Sequence, residues 1–291
     1  MTPPLTRTAH LRAGRQSEGA RLVAPAVILI VAVTGTAIGA VVATSLGLLP
    51  LVGQPRLSAD GFTALAGDLR AATQESLLIA IAATLLAAAI GLTIATTIVR
   101  AGHGVRLVVA LAVTVLTVPH LVGAAATGLL LSDVGLAQRW SGISPASWPE
   151  LVGGRWPWAT VLELAWKESA FVALVVTASL GRRYADLREV SVVLGAAPRA
   201  QWWRVLLPLA APALASSSLI VFVYSLGTYE VARLLGRAYP EPLPVMAYRL
   251  FTGIDVTARP QAAATAVVAT GLALSAAAIT LPLVRRLGAD R

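Results

Sequence analysis

Catalysis needs nucleophiles, acids, bases or metal ligands held together, and this chain offers few of them. It has no cysteine, which excludes disulfides, thiolate metal sites, Fe–S clusters and cysteine nucleophiles. Its one lysine, Lys167, follows no glycine-rich loop, so the phosphate loop of ATPases is absent. No HExxH, no GxSxG and no carboxylate pair at catalytic spacing occurs. What remains is Glu163, Lys167 and Glu168 in one short stretch, Glu230 further on, and His120 beside Pro119. Charges inside an apolar segment face a protein interior or water and mark pathways and proton relays. Near a segment end, long side chains instead snorkel to the interface. The sequence favours snorkelling for Lys167 and Glu168, and a structural role for His120 at a proline kink. It predicts no catalytic activity, no metal site and no cofactor in this chain.

The segments that carry these residues are strongly apolar. Of 291 residues 57% are hydrophobic and 13% charged, against about 25% charged in an ordinary soluble domain. A bilayer core of about 30 Å needs about 20 apolar residues as helix. Stretches of that kind predict spans at about 22–47, 76–99, 107–131, 161–181, 207–229 and 261–284. The fourth holds the charged trio in its first turns. The first is too long for the apolar core of a signal peptide, so it is expected to stay as a helix. Residues 1–21 are expected to be a flexible cytoplasmic tail, and 287–291 a short C-terminal one.

Six spans put both termini on one side. Fourteen arginines then fall on the side of the termini and eight on the other, which makes the first side cytoplasmic. The formal net charge of +9 is thus an orientation signal. Its arginines are dispersed over four segments and do not form a nucleic-acid patch. Trp140, Trp148, Trp156, Trp158 and Trp166 crowd the outer loop and the start of the fourth span, where indole rings prefer the membrane–water boundary.

Between the fourth and fifth spans lies the cytoplasmic loop 182–208. Tyr184, Leu187, Val190 and Leu194 give a helix one apolar face. Gly195 is a natural stop, Pro198 can open a second short helix, and Pro208 and Pro212 mark the entry to the fifth span. Such a loop either lies on headgroups or fills a groove on a partner.

The loop resembles the one carried by permease subunits of binding-protein-dependent ABC importers: E-A-A, three residues, G, nine residues, I-x-L-P. Here Glu189 starts it, Gly195 follows at the same distance, and Val205, Leu207 and Pro208 close it. Val190 and Ser191 replace the two alanines, and Val205 replaces the isoleucine. The likeness extends roughly from Glu75 to Arg286. It implies an all-α polytopic fold of about six spans, as in type I importer permeases. It also implies that Glu189, Gly195, Ala196, Pro198, Trp202, Trp203, Leu207 and Pro208 couple the chain to a cytoplasmic ATPase. Glu189 would contact that subunit, Gly195 would permit the turn, and both tryptophans would supply docking surface.

The resemblance places Tyr224, Ser225, Thr228 and Glu230 near the solute pathway. It implies further partners: a second permease, the same or homologous, an extracytoplasmic solute-binding protein and membrane lipid. ATP and Mg would be bound by the ATPase, and the location would be a bacterial inner membrane. The run from Ser225 to Phe251 is most like the subgroup that imports polyamines, ferric iron, thiamine or inorganic oxyanions. The rival reading is an ion- or proton-coupled secondary transporter. That class needs ionisable groups deep in its spans, and here only His120 is so placed.

Overall fold

The computed structural model describes residues 6–100 and 105–289, and among them no strand forms. The helices are α1 (Thr6–Ser45), α2 (Asp60–Thr63), α3 (Ala66–Arg100), α4 (Val105–Thr117), α5 (His120–Leu131) and α6 (Leu136–Ser141). They continue as α7 (Trp158–Val193), α8 (Pro198–Gln201), α9 (Leu207–Gly227), α10 (Glu230–Leu235), α11 (Leu243–Thr252) and α12 (Arg259–Ala289). Among the described residues five helical segments are long and apolar enough to cross a membrane: Arg21–Ser45, Ala66–Arg100, His120–Ser141, Pro198–Gly227 and Val256–Leu287. The chain is a multi-pass membrane protein.

The structure draws four of the expected segments differently. Residues 6–21 are helix, continuous with the first span. No proline lies between Pro4 and Pro25, so nothing stops the helix from propagating toward the N-terminus. Residues 287–289 likewise belong to α12, whereas 290–291 lie outside the described residues. The span expected over 107–131 is two helices, because Pro119 has no N–H to donate to Val115 and its ring obstructs the preceding turn. The fourth expected span, 161–181, lies within the 36-residue α7, which is not among the five apolar segments.

α7 is instead the axis of the bundle, packed against α3, α4, α5, α9 and α10. Its Ala159, Val161, Leu164, Val172, Val176 and Leu180 are all buried. Lipid is as apolar as leucine, so packed helices in it rely on van der Waals contact, and small residues let backbones approach. α3 supplies such a stripe at every fourth position: Ala83, Ala87, Gly91 and Ala95, all buried. A Cβ on Gly91 would stand 2.6 Å from that of Val172. By contrast α1 meets the bundle chiefly through α12, and its residues 21–33 are exposed almost throughout, as suits a helix facing lipid.

Candidate functional site

Two regions stand out, one at each end of α7. At the end holding the 182–208 loop, α7 kinks at Gly181 (φ 43°, ψ −146°) and runs on to Val193. The predicted apolar face begins in the core and leaves it. Exposure rises from 1% at Tyr184 to 41% at Leu187, 55% at Val190 and 79% at Leu194.

Gly195 then ends the helix with φ +72°, a left-handed conformation that a Cβ disfavours by about 1–2 kcal/mol. Its N–H donates to Val192 O and that of Ala196 to Ser191 O, each at 2.9 Å. Together they form a Schellman cap that satisfies the last carbonyls. Ala197 is extended and Pro198 opens α8, as a residue before proline and a proline at N1 should. Buried Gln201 folds the turn shut by donating to Ala196 O at 2.9 Å. A π-helical turn, Trp202–Leu206, joins α8 to α9. Pro208 lacks the N–H that would have paired Arg204 O in an α-helix.

The two tryptophans part ways. Trp202 packs against the core cluster formed by Val176, Leu180, Tyr184 and Leu206, whereas Trp203 is 58% exposed. Of the two tryptophans expected to supply docking surface, Trp203 is the exposed one and Trp202 is half-buried in the packing of the core. Arg100, at the end of α3, clamps the root of the loop. Its Nε donates to Tyr184 Oη at 3.3 Å, and its guanidinium lies 5.6 Å from the Trp202 ring centroid. Sequence reasoning missed this role because it counted Arg100 only as an orientation charge. Glu189, Pro198 and Pro208 are exposed, while Ala196 and Leu207 are half-buried. The result is an exposed apolar surface of Leu187, Val190, Val193, Leu194 and Trp203 on a rigid, capped turn.

In the other half of α7, charges are enclosed. Glu163 is 0% and Lys167 3% exposed, so the snorkelling expected for Lys167 is wrong. Its ammonium donates to Val118 O and, at 3.4 Å, to Val115 O. Pro119 supplies the reason: the broken helix frees carbonyls, and the lysine satisfies them. Glu168, with a 12% exposed side chain, also turns inward. His120 lies between the two carboxylates, its Nδ1 3.6 Å from Glu163 Oε1 and its Nε2 3.4 Å from Glu168 Oε1. An imidazole protonated on both nitrogens points a donor at each and brings the cluster to zero net charge. Both oxygens of Glu163 lack a hydrogen bond among the described residues, so its compensation is electrostatic. Gly123 allows the approach of α5, since a Cβ there would stand 2.9 Å from Glu163 Oε1.

Tyr224 of α9 closes the cluster, its ring centroid 4.7 Å from that of His120. Of the other predicted pathway residues, Ser225 and Thr228 are buried and Glu230 is exposed in the first turn of α10. Of the predicted four, two are thus exposed and two buried. A separate pair, half-buried Arg237 and buried Glu75 at 2.5 Å, ties α3 to the segment before α11, where Leu243 N–H also donates to Ser76 Oγ at 2.7 Å.

The sequence profile of the family described as the binding-protein-dependent transport system inner membrane component matches residues 90–288. The chain belongs to this family. The inner membrane ABC transporter permease protein YnjC of Escherichia coli (strain K12) is 32% identical over 145 residues, 48% of this chain and 27% of that protein. The molybdenum transport system permease protein ModB of Mycobacterium tuberculosis (strain ATCC 25618 / H37Rv) is 30% identical over 165 residues, 54% of this chain and 60% of that one. The chain thus spans between about a quarter and three fifths of the length of these relatives.

Among solved structures, a bacterial ABC transporter involved in the import of the acidic polysaccharide alginate superposes with a TM-score of 0.73. The match is 18% identical and covers 94% of this chain and 99% of that one. The MetNI methionine ABC transporter matches at 0.61 and 18% identity, over 77% and 98% of the two chains. At these identities the likeness is one of fold, that of the type I importer permease.

Proposed function

We propose that this member of the family is the transmembrane permease subunit of an ATP-driven importer, set in a bacterial inner membrane. The single observation that carries this reading is the capped, exposed apolar turn of the 182–208 loop. Its apolar side chains, from Leu187 to Leu194 with Trp203, suit a groove on a partner better than water. Here the groove belongs to a cytoplasmic ATPase subunit, which binds ATP and Mg and does the hydrolysis.

Closure of two such ATPases moves the loops. α7, which runs from the loop through the middle of the bundle, carries that motion toward the opposite end, and the spans rock between two states that each ligand binds differently. A second permease, identical or homologous, completes the pathway, and an extracytoplasmic binding protein delivers the solute. Solute passes by Tyr224 and Glu230, the two predicted pathway residues that are exposed. The solute belongs with polyamines, ferric iron, thiamine or inorganic oxyanions; the name of ModB is consistent with the last.

The buried His120, Glu163, Lys167 and Glu168 give the rival reading, an ion-coupled carrier, its one favourable observation. Two measurements separate the readings. On the importer reading, an ATPase subunit copurifies in mild detergent with the wild type, and less with Glu189→Ala and Gly195→Asp. Transport then stops when cells are depleted of ATP while holding a proton gradient. Transport that persists under those conditions, with no ATPase copurifying, refutes the importer reading.

A further inference from the structure

The seam between α1 and α12 is not filled by protein. A cavity of about 500 Å³ lies between the end of α1, α11 and the start of α12, with Val41, Thr44, Tyr248, Phe251, Arg259 and Ala266 in its wall. A second, of about 300 Å³, continues along the same two helices past Ile38, Gly271 and Leu274. Val41 and Ala266 line both, so the two form one apolar furrow. From Arg259 to Leu274 it follows α12 for about 23 Å at 1.5 Å per residue. That exceeds the depth of one leaflet, half of a hydrocarbon core of about 30 Å. Its walls are rich in small residues, and an empty furrow forfeits the dispersion contacts that hold helices together in lipid.

One end of the furrow carries a charge. The Arg259 guanidinium stacks over Phe251, 4.1 Å from its ring centroid. Among the described residues no carboxylate lies within ion-pair distance of it. Its Nε is buried with no hydrogen-bond partner. A guanidinium so placed presents donors in the fork geometry that matches phosphate. An apolar trough of acyl-chain length with an unpaired cation at its mouth fits one occupant chemically.

We infer that the α1–α12 furrow binds an anionic phospholipid, its phosphate on Arg259 and one acyl chain along Val41 and Ala266. The lipid fastens α1, which has little other purchase on the bundle.

The test is native mass spectrometry of the full chain released from nanodiscs of equimolar phosphatidylglycerol and phosphatidylcholine. Wild type is expected to retain one phosphatidylglycerol with at least a tenfold preference. Arg259→Gln lowers that preference to near one, and Arg259→Lys keeps most of it. Ala266→Phe, which fills the furrow while leaving the charge, removes the bound lipid. Circular dichroism and an unchanged monodisperse profile certify that each variant is folded. Equal retention of the two lipids by wild type, or an undiminished preference in folded Arg259→Gln, overturns the inference. A photo-crosslinker at Val41 that captures a second permease chain and no lipid overturns it too, and reassigns the furrow to a subunit interface.

Discussion

At one end of α7, Val193 and Leu194 stand 87% and 79% exposed; near the other, Glu163 is wholly enclosed. Apolar groups face outward where polarity is expected, and charges face inward where apolar groups are expected. Both arrangements are costly for an isolated chain, and each is offset differently. On the proposed reading a partner covers the loop, and its own scaffold is complete without one: the Schellman cap, Gln201 and Arg100 hold its shape. The buried cluster is completed within the chain, by Lys167 on the carbonyls freed at Pro119 and by His120 between two carboxylates. An interface is thus recognised by unfilled apolar surface on a finished backbone. A structural lock is recognised by charges that answer one another.

The comparison can be broken at the cluster first, where the largest effect is expected. Lys167→Met leaves Glu163 and Glu168 facing one imidazole, and it takes the ammonium donor from Val118 O, while Val115 O keeps the backbone N–H of Val118. Removing one partner from a buried ion pair costs about 3–5 kcal/mol, so the thermal midpoint in detergent should fall sharply. The double variant Glu163→Gln with Lys167→Met should recover part of that loss. Strictly additive effects in this double-mutant cycle would mean that the charges are not coupled.

The two tryptophans sharpen the contrast within a single turn. Trp202→Ala empties a place in the core cluster and should cost about 3 kcal/mol. Trp203→Ala should leave the thermal midpoint alone and weaken ATPase copurification. The reverse pattern would exchange their roles.

Gly123→Ala drives a methyl toward Glu163 Oε1, and overpacking of this kind costs about 1–3 kcal/mol, read as a lowered midpoint. Gly195→Val is smaller in stability, about 1–2 kcal/mol, yet it should abolish coupling because it re-aims the loop. Glu189→Ala should be silent in stability and visible only in partner binding.

The difference between the two regions also explains what could be read from sequence. The loop is local. Glu189, Gly195, Pro198 and Pro208 lie within twenty residues, and their cap and turn chemistry follows from residue type. Most of the spans were legible for the same reason, as long uncharged runs. The cluster is assembled from residues 120, 163, 167, 168 and 224, brought together only by packing of α5 and α9 on α7. Read alone, Lys167 near a helix end looks like a snorkelling residue. The clue was Pro119: a proline inside an apolar span strands carbonyls, and a lone lysine elsewhere in the spans is a donor that can answer them. Trp202 and Trp203 adjoin in sequence, and only the π-helical turn decides which one faces the core.

The central claim is that the exposed turn is a docking surface for an ATPase. Because the chain has no cysteine, Leu194→Cys gives a single reactive thiol at the tip of the loop. A short heterobifunctional crosslinker at that site, applied in native membranes, tests the claim directly. The account predicts one discrete adduct with an ATPase subunit, altered by ATP and absent for a thiol placed at Leu129 near the other end of the bundle. Adducts with lipid alone, the same with and without ATP, would contradict it and leave the turn as a helix pair resting on the membrane surface.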